Sequence, residues 1–505
     1  MSHGSERAPL YEALVAHDRL KAHAFHVPGH KQRAAWGDTL AASYFSHLLA
    51  LDVTELSDTD DLHHPEGPLA DAQELAAQCY GTDETRFLVG GSTAGNLAMI
   101  IGVCQPGDLV IVQRNVHKSI IHGLMLAGVR AVLLPPDIDE ASGLATVPGN
   151  KLLQSTLERN PDAKAVILSA PNYYGMSPDL KPLVKLVHEQ GIPVLVDEAH
   201  GAHFGFHSRF PDSALQSGAD VVIQSTHKML SSMTMGAMLH MQGERIRRSA
   251  IRHTLTMVQS SSPSFPIMAS LDLARMQLHT QGEHAFNTAL DAVSQAVEGI
   301  GVTSFRALGY GEYASSGISY DPLKLVLFDE TERLSGFTLR DELLRRNCIA
   351  EMADARYVVM AFGTGSTLDD GMCLREALLD ITAADSGNGI DNAEHTNKNN
   401  GVTKALPRTY QSPIDSNTDS SAVIEPVLFG REGFPSHSVP IDRCVGLTAA
   451  EWIIPYPPGI PVLYPGEIIT ENIVNQLKLW KHEGAQIQGA HDPELQNIEV
   501  RKELS

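Results

Sequence analysis

Residues Pro193-Val194-Leu195-Val196-Asp197-Glu198-Ala199-His200 open as an unbroken apolar run and close on charged and polar side chains. A short run without polar alternation is the pattern of a strand covered on both faces. The pattern recurs at Arg86–Val89, Leu109–Val112, Ala131–Leu134, Ala165–Leu168, Asp220–Gln224 and Met235–Leu239. Between these runs, apolar residues take helical spacing at Leu97–Cys104, Lys118–Ala127, Leu152–Arg159 and Leu180–Gln190. Repeated strand–helix alternation predicts an α/β fold with a mainly parallel central sheet flanked by helices. Ligands of such sheets sit beyond the carboxyl ends of the strands, so strand-end residues are where chemistry is sought.

The rest of the chain is read outward from that centre. Its 505 residues suit roughly three units at about 150 residues each. Residues 1–45 read as a leading helix, Leu10–Leu20, and an arm containing His26-Val27-Pro28-Gly29-His30-Lys31. Residues 46–300 form the large domain. From 301 to 505 the pattern changes to a smaller C-terminal α+β domain, with apolar runs at Leu325–Phe328 and Tyr357–Phe362. Within it, 384–421 is rich in Asn, Asp, Ser, Thr and Gly and nearly free of large apolar groups. Such a stretch cannot offset its ordering entropy and is expected to be a disordered insertion. Ile453–Pro461 reads as a rigid proline-rich loop.

Composition excludes several classes. Apolar residues make up 43% and acidic residues outnumber basic ones 60 to 38, for a net charge of −22. That surface disfavours nucleic acid and anionic membranes and attracts a cationic small molecule. No apolar run reaches the 18 residues or so of a spanning helix, and no secretory signal is visible. The five cysteines, Cys79, Cys104, Cys348, Cys373 and Cys444, read as reduced, mostly buried thiols of a cytoplasmic protein.

Four strand-end clusters could carry chemistry. Gly90-Gly91-Ser92-Thr93-Ala94-Gly95-Asn96 lies between a strand and a helix. Its small residues let an anion approach the helix amino end, although a tight turn with a cap has the same signature. It is not a Walker loop, because the Gly-Lys-Ser/Thr step is missing throughout. The second cluster ends the opening stretch with Asp197, a carboxylate that needs a cation or donor if buried. A helicase of the Asp-Glu-Ala-His type would use that carboxylate on magnesium, but there is no phosphate loop. A metal hydrolase could recruit Asp197, His200, His203 and His207, though their spacing matches no helical ligand pair, and no metal is expected. The third possibility is the protonated ring nitrogen of pyridoxal phosphate. Ser225-Thr226-His227-Lys228, after the apolar strand Asp220–Gln224, favours it. A lysine in apolar surroundings has a lowered pKa and is a good Schiff-base nucleophile. The fourth cluster, Arg114-Asn115-Val116-His117-Lys118-Ser119, offers an imidazole that could lie against an aromatic ring or simply open a helix.

Together these clusters closely resemble the ornithine/lysine/arginine decarboxylases of the aspartate-aminotransferase, type I pyridoxal-phosphate fold. His26–Lys31, Asp60-Asp61-Leu62-His63-His64-Pro65, Arg114–Ser119, Pro171-Asn172-Tyr173-Tyr174-Gly175, Val196–Gly201, Ser225–Lys228 and Pro455–Pro461 follow in that family's order over nearly the whole chain. The large domain would then be the cofactor-binding one, and the chain resembles the shorter branch without an amino-terminal wing. The resemblance implies that Lys228 bonds the cofactor, Asp197 holds the proton on its ring nitrogen, His117 stacks on the ring and His200 lies near its phenolic oxygen. Ser92, Thr93, Ala94, Ser225 and His227 would hold the phosphate. It implies decarboxylation of a basic amino acid to CO₂ and an amine, with arginine, a source of agmatine for polyamine synthesis, slightly ahead of lysine and ornithine. Glu451 is a candidate partner for the substrate's distal cation. The same fold also serves aminotransferases, other lyases and amino-acid oxidases, or a noncatalytic regulatory protein. A homodimer or larger homo-oligomer is expected, with His26–Lys31 and Asp60–His64 reaching the partner's site.

Overall fold

The structure, a computed structural model, describes residues 4–388, 424–430, 433–456, 460–482 and 484–502. Its centre is an eight-stranded sheet. The strands are β1 (Glu84–Leu88), β2 (Leu109–Gln113), β3 (Arg130–Leu134), β4 (Val166–Ser169), β5 (Val194–Asp197), β6 (Val221–Gln224), β7 (Ala237–Met241) and β8 (Val427–Leu428). They lie in the order β1-β7-β6-β5-β4-β2-β3-β8. The pairings of β3 with β2, β2 with β4, β4 with β5 and β5 with β6 are parallel, and β7, β1 and β8 close the edges antiparallel. The expected mainly parallel α/β sheet is therefore present, with each foreseen strand found within two residues of its place.

Lack of polar alternation in these strands has a direct cause. On β5, Leu195 joins a core with Ile100, Ile120, Leu124 and Ile251 on one face. Val194 and Val196 join Leu153, Leu157, Leu183 and Val187 on the other. Successive side chains alternate between faces, and both faces are dry. The first layer comes from helices Gly91–Val103, Lys118–Ala127 and Arg248–Val258, the second from Asn150–Arg159 and Lys181–His188. A third apolar group carries the leading helix Pro9–Arg19 against Phe265–Gln281, through Leu10, Leu14, Phe265 and Leu271.

A smaller antiparallel sheet joins Met352–Ala353, Val358–Ala361, Lys324–Asp329 and Phe305–Ala307. Its Leu325, Leu327, Val358 and Met360 pack with Leu290, Val293, Leu374 and Leu378. The last segment builds a separate apolar cluster around Ile453, Leu463, Ile473, Leu477 and Ile498.

Four local expectations are corrected. The helix expected from Leu97 starts at Gly91, inside the glycine-rich stretch. There Gly95 serves packing, because a Cβ would lie 2.8 Å from Leu88 Cδ1 and 2.9 Å from Ile223 Cγ2. The helix Thr39–Leu51 crosses the position where the arm was expected to end, capped by Asp38 accepting from Leu40 N and Ala41 N. The helix Leu368–Asn388 continues past residue 384, and the remainder of the expected insertion lies outside the described residues. Ile454–Tyr456 is a strand paired with Gln486–Gln488 where a loop was expected, while 457–459 lie outside the described residues.

Candidate active site

The carboxyl ends of the parallel strands deliver Gln113, Ser169, Asp197 and Ser225 to the wall of one cavity of about 350 Å³. Asp197 terminates β5 and is 4% exposed. Its Oδ2 accepts from Asn96 Nδ2 at 2.8 Å and its Oδ1 from Ala199 N at 3.2 Å. Burial pushes its carboxyl above the ordinary carboxylate range, against the opposing pull of Lys228, Asn96 and Ala199. A carboxylate held in this way gains from a cation placed against it. Asn96 Nδ2 also donates to Ser119 Oγ at 2.8 Å, while the buried Asn96 Oδ1 has no protein partner.

His117 caps the helix Lys118–Ala127, its Nδ1 accepting from Ser119 N at 3.2 Å and meeting Ser119 Oγ at 2.8 Å. An accepting Nδ1 places the ring proton on Nε2. Burial first, then the charge of Lys228, pushes the imidazole down to about 4. The ring is therefore neutral at physiological pH, and Ser119 and Asn96 connect it to Asp197.

Lys228 sits in a single helical turn, Thr226–Met229, directly after β6. Its Nζ stands 3.0 Å from His200 Nε2 and 5.8 Å from the centre of the Tyr173 ring. Burial lowers its pKa, Asp197 opposes this and Lys324 adds to it. A lysine lowered this way offers a neutral, nucleophilic amine more readily than one in water. His200 lies with its ring centre 4.8 Å from that of Tyr173, and burial pushes its pKa well below the usual histidine value.

At the opposite end Ser92 Oγ and Ser225 Oγ are 2.7 Å apart, at the start of a helix that no side chain caps. Thr93 and His227 line the same cavity. His227 donates from Nδ1 to Gly236 O at 2.9 Å. Hydroxyls at an uncapped helix amino end suit a phosphate. With the buried carboxylate, the orphaned Asn96 oxygen and the nearby amine, the residues fit pyridoxal phosphate: anion at one end, cationic ring nitrogen at the other.

Some expected site residues fall elsewhere. Ala94 is buried and does not line the cavity, since it follows Ser92 and Thr93 on a helix and turns to another face. Glu451 is turned into the C-terminal unit, where His491 N and Glu499 N donate to it at 2.5 and 2.7 Å. Its carboxylate serves backbone donors and does not line the cavity. His203, a metal candidate, pairs with Asp321 at 3.0 Å in the core. Among the described residues no group of three or more His, Cys, Asp and Glu is arranged for a metal. Asp60 accepts from Gly67 N and Leu69 N and so braces the start of the helix Pro68–Tyr80, while His30 pairs with Asp52. Asn96, Ser119, Tyr173 and Lys324 were not singled out in the sequence; the first three sat inside quoted motifs, and Lys324 carried no local signal.

Known proteins resemble this chain over most of its length. A family model described as Orn/Lys/Arg decarboxylase, major domain, matches residues 8–307, and its C-terminal-domain companion matches 434–503. The uncharacterized protein YaaO of Bacillus subtilis (strain 168) is 41% identical over 482 residues, 93% of each chain. An arginine decarboxylase of the same organism is 32% identical over 502 residues, 98% of each chain. The solved lysine decarboxylase A from Pseudomonas aeruginosa is similar with a TM-score of 0.79 at 20% identity, over 98% of this chain and 80% of that one. At that identity the likeness establishes the fold.

Proposed function

This chain belongs to the Orn/Lys/Arg decarboxylase family, and from that premise we propose that Lys228, Asp197, His117 and His200 serve decarboxylation of a basic L-amino acid, arginine before lysine or ornithine. It is a pyridoxal-phosphate-dependent carboxy-lyase. The observation that carries the residue assignment is a cavity-lining lysine 3.0 Å from an imidazole, its pKa lowered first by burial against the opposing pull of a buried strand-end aspartate. Arginine is favoured because a named arginine decarboxylase matches end to end at 32% identity, whereas a named lysine decarboxylase from Pseudomonas aeruginosa matches at 26% over 74% of its length.

Bound pyridoxal phosphate supplies a conjugated, electron-accepting ring that takes up the electron pair left when CO₂ departs from Cα. Asp197, kept anionic by that bound cation, holds a proton on the ring nitrogen. Asn96 holds the carboxylate in position. His117, neutral and fixed by Ser119, presents an uncharged face for the ring. Ser92, Thr93, Ser225 and His227 bind the phosphate. Lys228 would hold the cofactor through Nζ, the one lysine amine among the described residues that lines the cavity. Tyr173, Tyr174, Phe337, Val462 and Trp480 give the cavity apolar walls that exclude water from the reacting bond.

We also infer a homodimer or larger homo-oligomer. Phe25 and Tyr44, on and beside the arm, are 94% and 78% exposed, with Trp36 and Leu40 exposed beside them in sequence. Large apolar groups clustered in this way are what a partner subunit covers. A sedimenting monomer with full activity would overturn this.

The direct test gives the purified holoenzyme arginine, lysine and ornithine separately and identifies the products by mass. Agmatine with stoichiometric CO₂ from arginine is expected, with slower or no reaction of the other two. A keto acid or ammonia without CO₂ would retain the cofactor and overturn decarboxylation.

A further inference from the structure

Behind His200, on the side away from Lys228, lies a second lysine. Lys324 opens the strand Lys324–Asp329, is 5% exposed, and places Nζ 3.1 Å from His200 Nδ1. Since His200 Nε2 is 3.0 Å from Lys228 Nζ, one imidazole bridges two amines. The backbone fixes this arrangement. Asp321 N donates to Gly175 O at 2.8 Å and Lys324 N to Asp321 O at 3.0 Å. Gly175, at φ +78°, approaches so closely that a Cβ there would lie 2.8 Å from Lys324 Cβ.

Hydrogen-bonding capacity limits the states this array can take. An ammonium only donates, and a neutral imidazole has one donor and one acceptor nitrogen. If Lys324 is an ammonium, Nδ1 accepts, Nε2 carries the proton, and Lys228 must be a neutral amine to receive it. If Lys228 is the ammonium, every role reverses. Two ammonium groups would leave one of them facing an N–H. Burial opposes charge on both lysines and on the imidazole, so the state with every member protonated is the least favourable. The charges facing the array are balanced across it. Asp321, itself paired with His203, and Glu351 favour charge on Lys324, while Asp197 and Glu351 favour it on Lys228; His117 and His227 also face His200.

We propose that Lys228, His200 and Lys324 form a proton relay that holds one ammonium charge on one lysine at a time. It rests on the assignment of Lys228 above. In the transfer an N–H bond of Lys324 breaks as one forms at His200 Nδ1, and the Nε2–H bond breaks as one forms at Lys228 Nζ. The imidazole ends in its other tautomer, and no other reactant is needed. Lys228 is then an amine when it must bond a carbonyl carbon, and an ammonium when a proton must be delivered beside Cα. Lys324 acts through His200 and is a positioning residue.

The test is the pH titration of Lys228 in the full-length chain freed of cofactor, read by competitive amine labelling and mass spectrometry. Lys324→Met leaves Lys228 the sole holder of the charge, so its pKa rises and its labelling at neutral pH falls, by about tenfold per pKa unit. Lys324→Arg is permanently charged and makes Nδ1 a permanent acceptor, so the pKa of Lys228 falls. That variant should still bind cofactor but lose turnover. A Lys228 titration that is unmoved in both variants, or moved in the same direction, overturns the relay. Should Lys324→Met not fold, Lys324→Arg decides alone, an unmoved curve being the contrary result. Failure of the decarboxylase reading would appear separately, as wild-type protein that makes no amine.

Discussion

Lys228→Ala should abolish amine formation, by about 10⁴-fold or more, while leaving the fold intact. The size of the effect follows from geometry. Among the described residues Lys228 is the only lysine lining the cavity, and Lys324, the nearest substitute, is buried behind His200. No other amine can take over its role. The substitution removes a partly buried cation that gains little from its surroundings, since burial lowers its pKa, so unfolding midpoints should barely change. Two measurements check this. Product analysis should show no agmatine above background, and borohydride reduction should attach cofactor to the Lys228 peptide of the wild type alone. A variant retaining about a hundredth of the wild-type rate would show that another group supplies the chemistry.

Asp197→Asn is expected to lower kcat by about 10²–10⁴-fold and to weaken cofactor retention. Removing one partner of a buried, hydrogen-bonded charge pair costs about 3–5 kcal/mol, which corresponds to that range. An amide has nearly the same shape and can still accept from Asn96 Nδ2, so what is lost is the charge that keeps a ring proton in place and the longer, 3.2 Å bond from Ala199 N. The effect on the cofactor-free chain has the opposite sign. Burial raises the carboxyl pKa of Asp197 in the folded state, so its ionised form opposes folding above the unfolded pKa. Replacing it with a neutral amide should leave the thermal midpoint of the cofactor-free chain unchanged or higher, while the gain on adding cofactor shrinks. Assays of kcat and melting curves with and without pyridoxal phosphate read both signs. An Asp197→Asn variant with near-wild-type kcat would remove Asp197 from the mechanism.

The strands and their terminal residues were legible because they are local. A run such as Val194–Val196 reports its two-sided burial through its own composition, and Asp197 and Lys228 stand out because each follows such a run directly. Glu451 shows the opposite case. A glutamate before a proline-rich stretch looked available to a cationic substrate, yet the backbone N–H groups of His491 and Glu499 claim it. Main-chain donors turned away from water take whatever acceptor is at hand, and composition does not reveal which acceptor that is. Ala94 does not line the cavity for a simpler reason, since the glycine-rich stretch is already helix and only some of its positions face the cavity.

By itself the sequence determined the α/β class, the mainly parallel sheet and the family, and it singled out Lys228, Asp197, His117, His200, Ser92 and Ser225 as candidates, because hydrophobic period and strand-end chemistry are written within a few neighbouring residues. Only the tertiary structure decided which groups tune them. Asn96 meets Asp197 across 101 residues of sequence and Lys324 meets His200 across 124. Those contacts exist because the sheet order and the Gly175–Asp321 contact bring distant segments into hydrogen-bonding range, and no local pattern of residues encodes that distance.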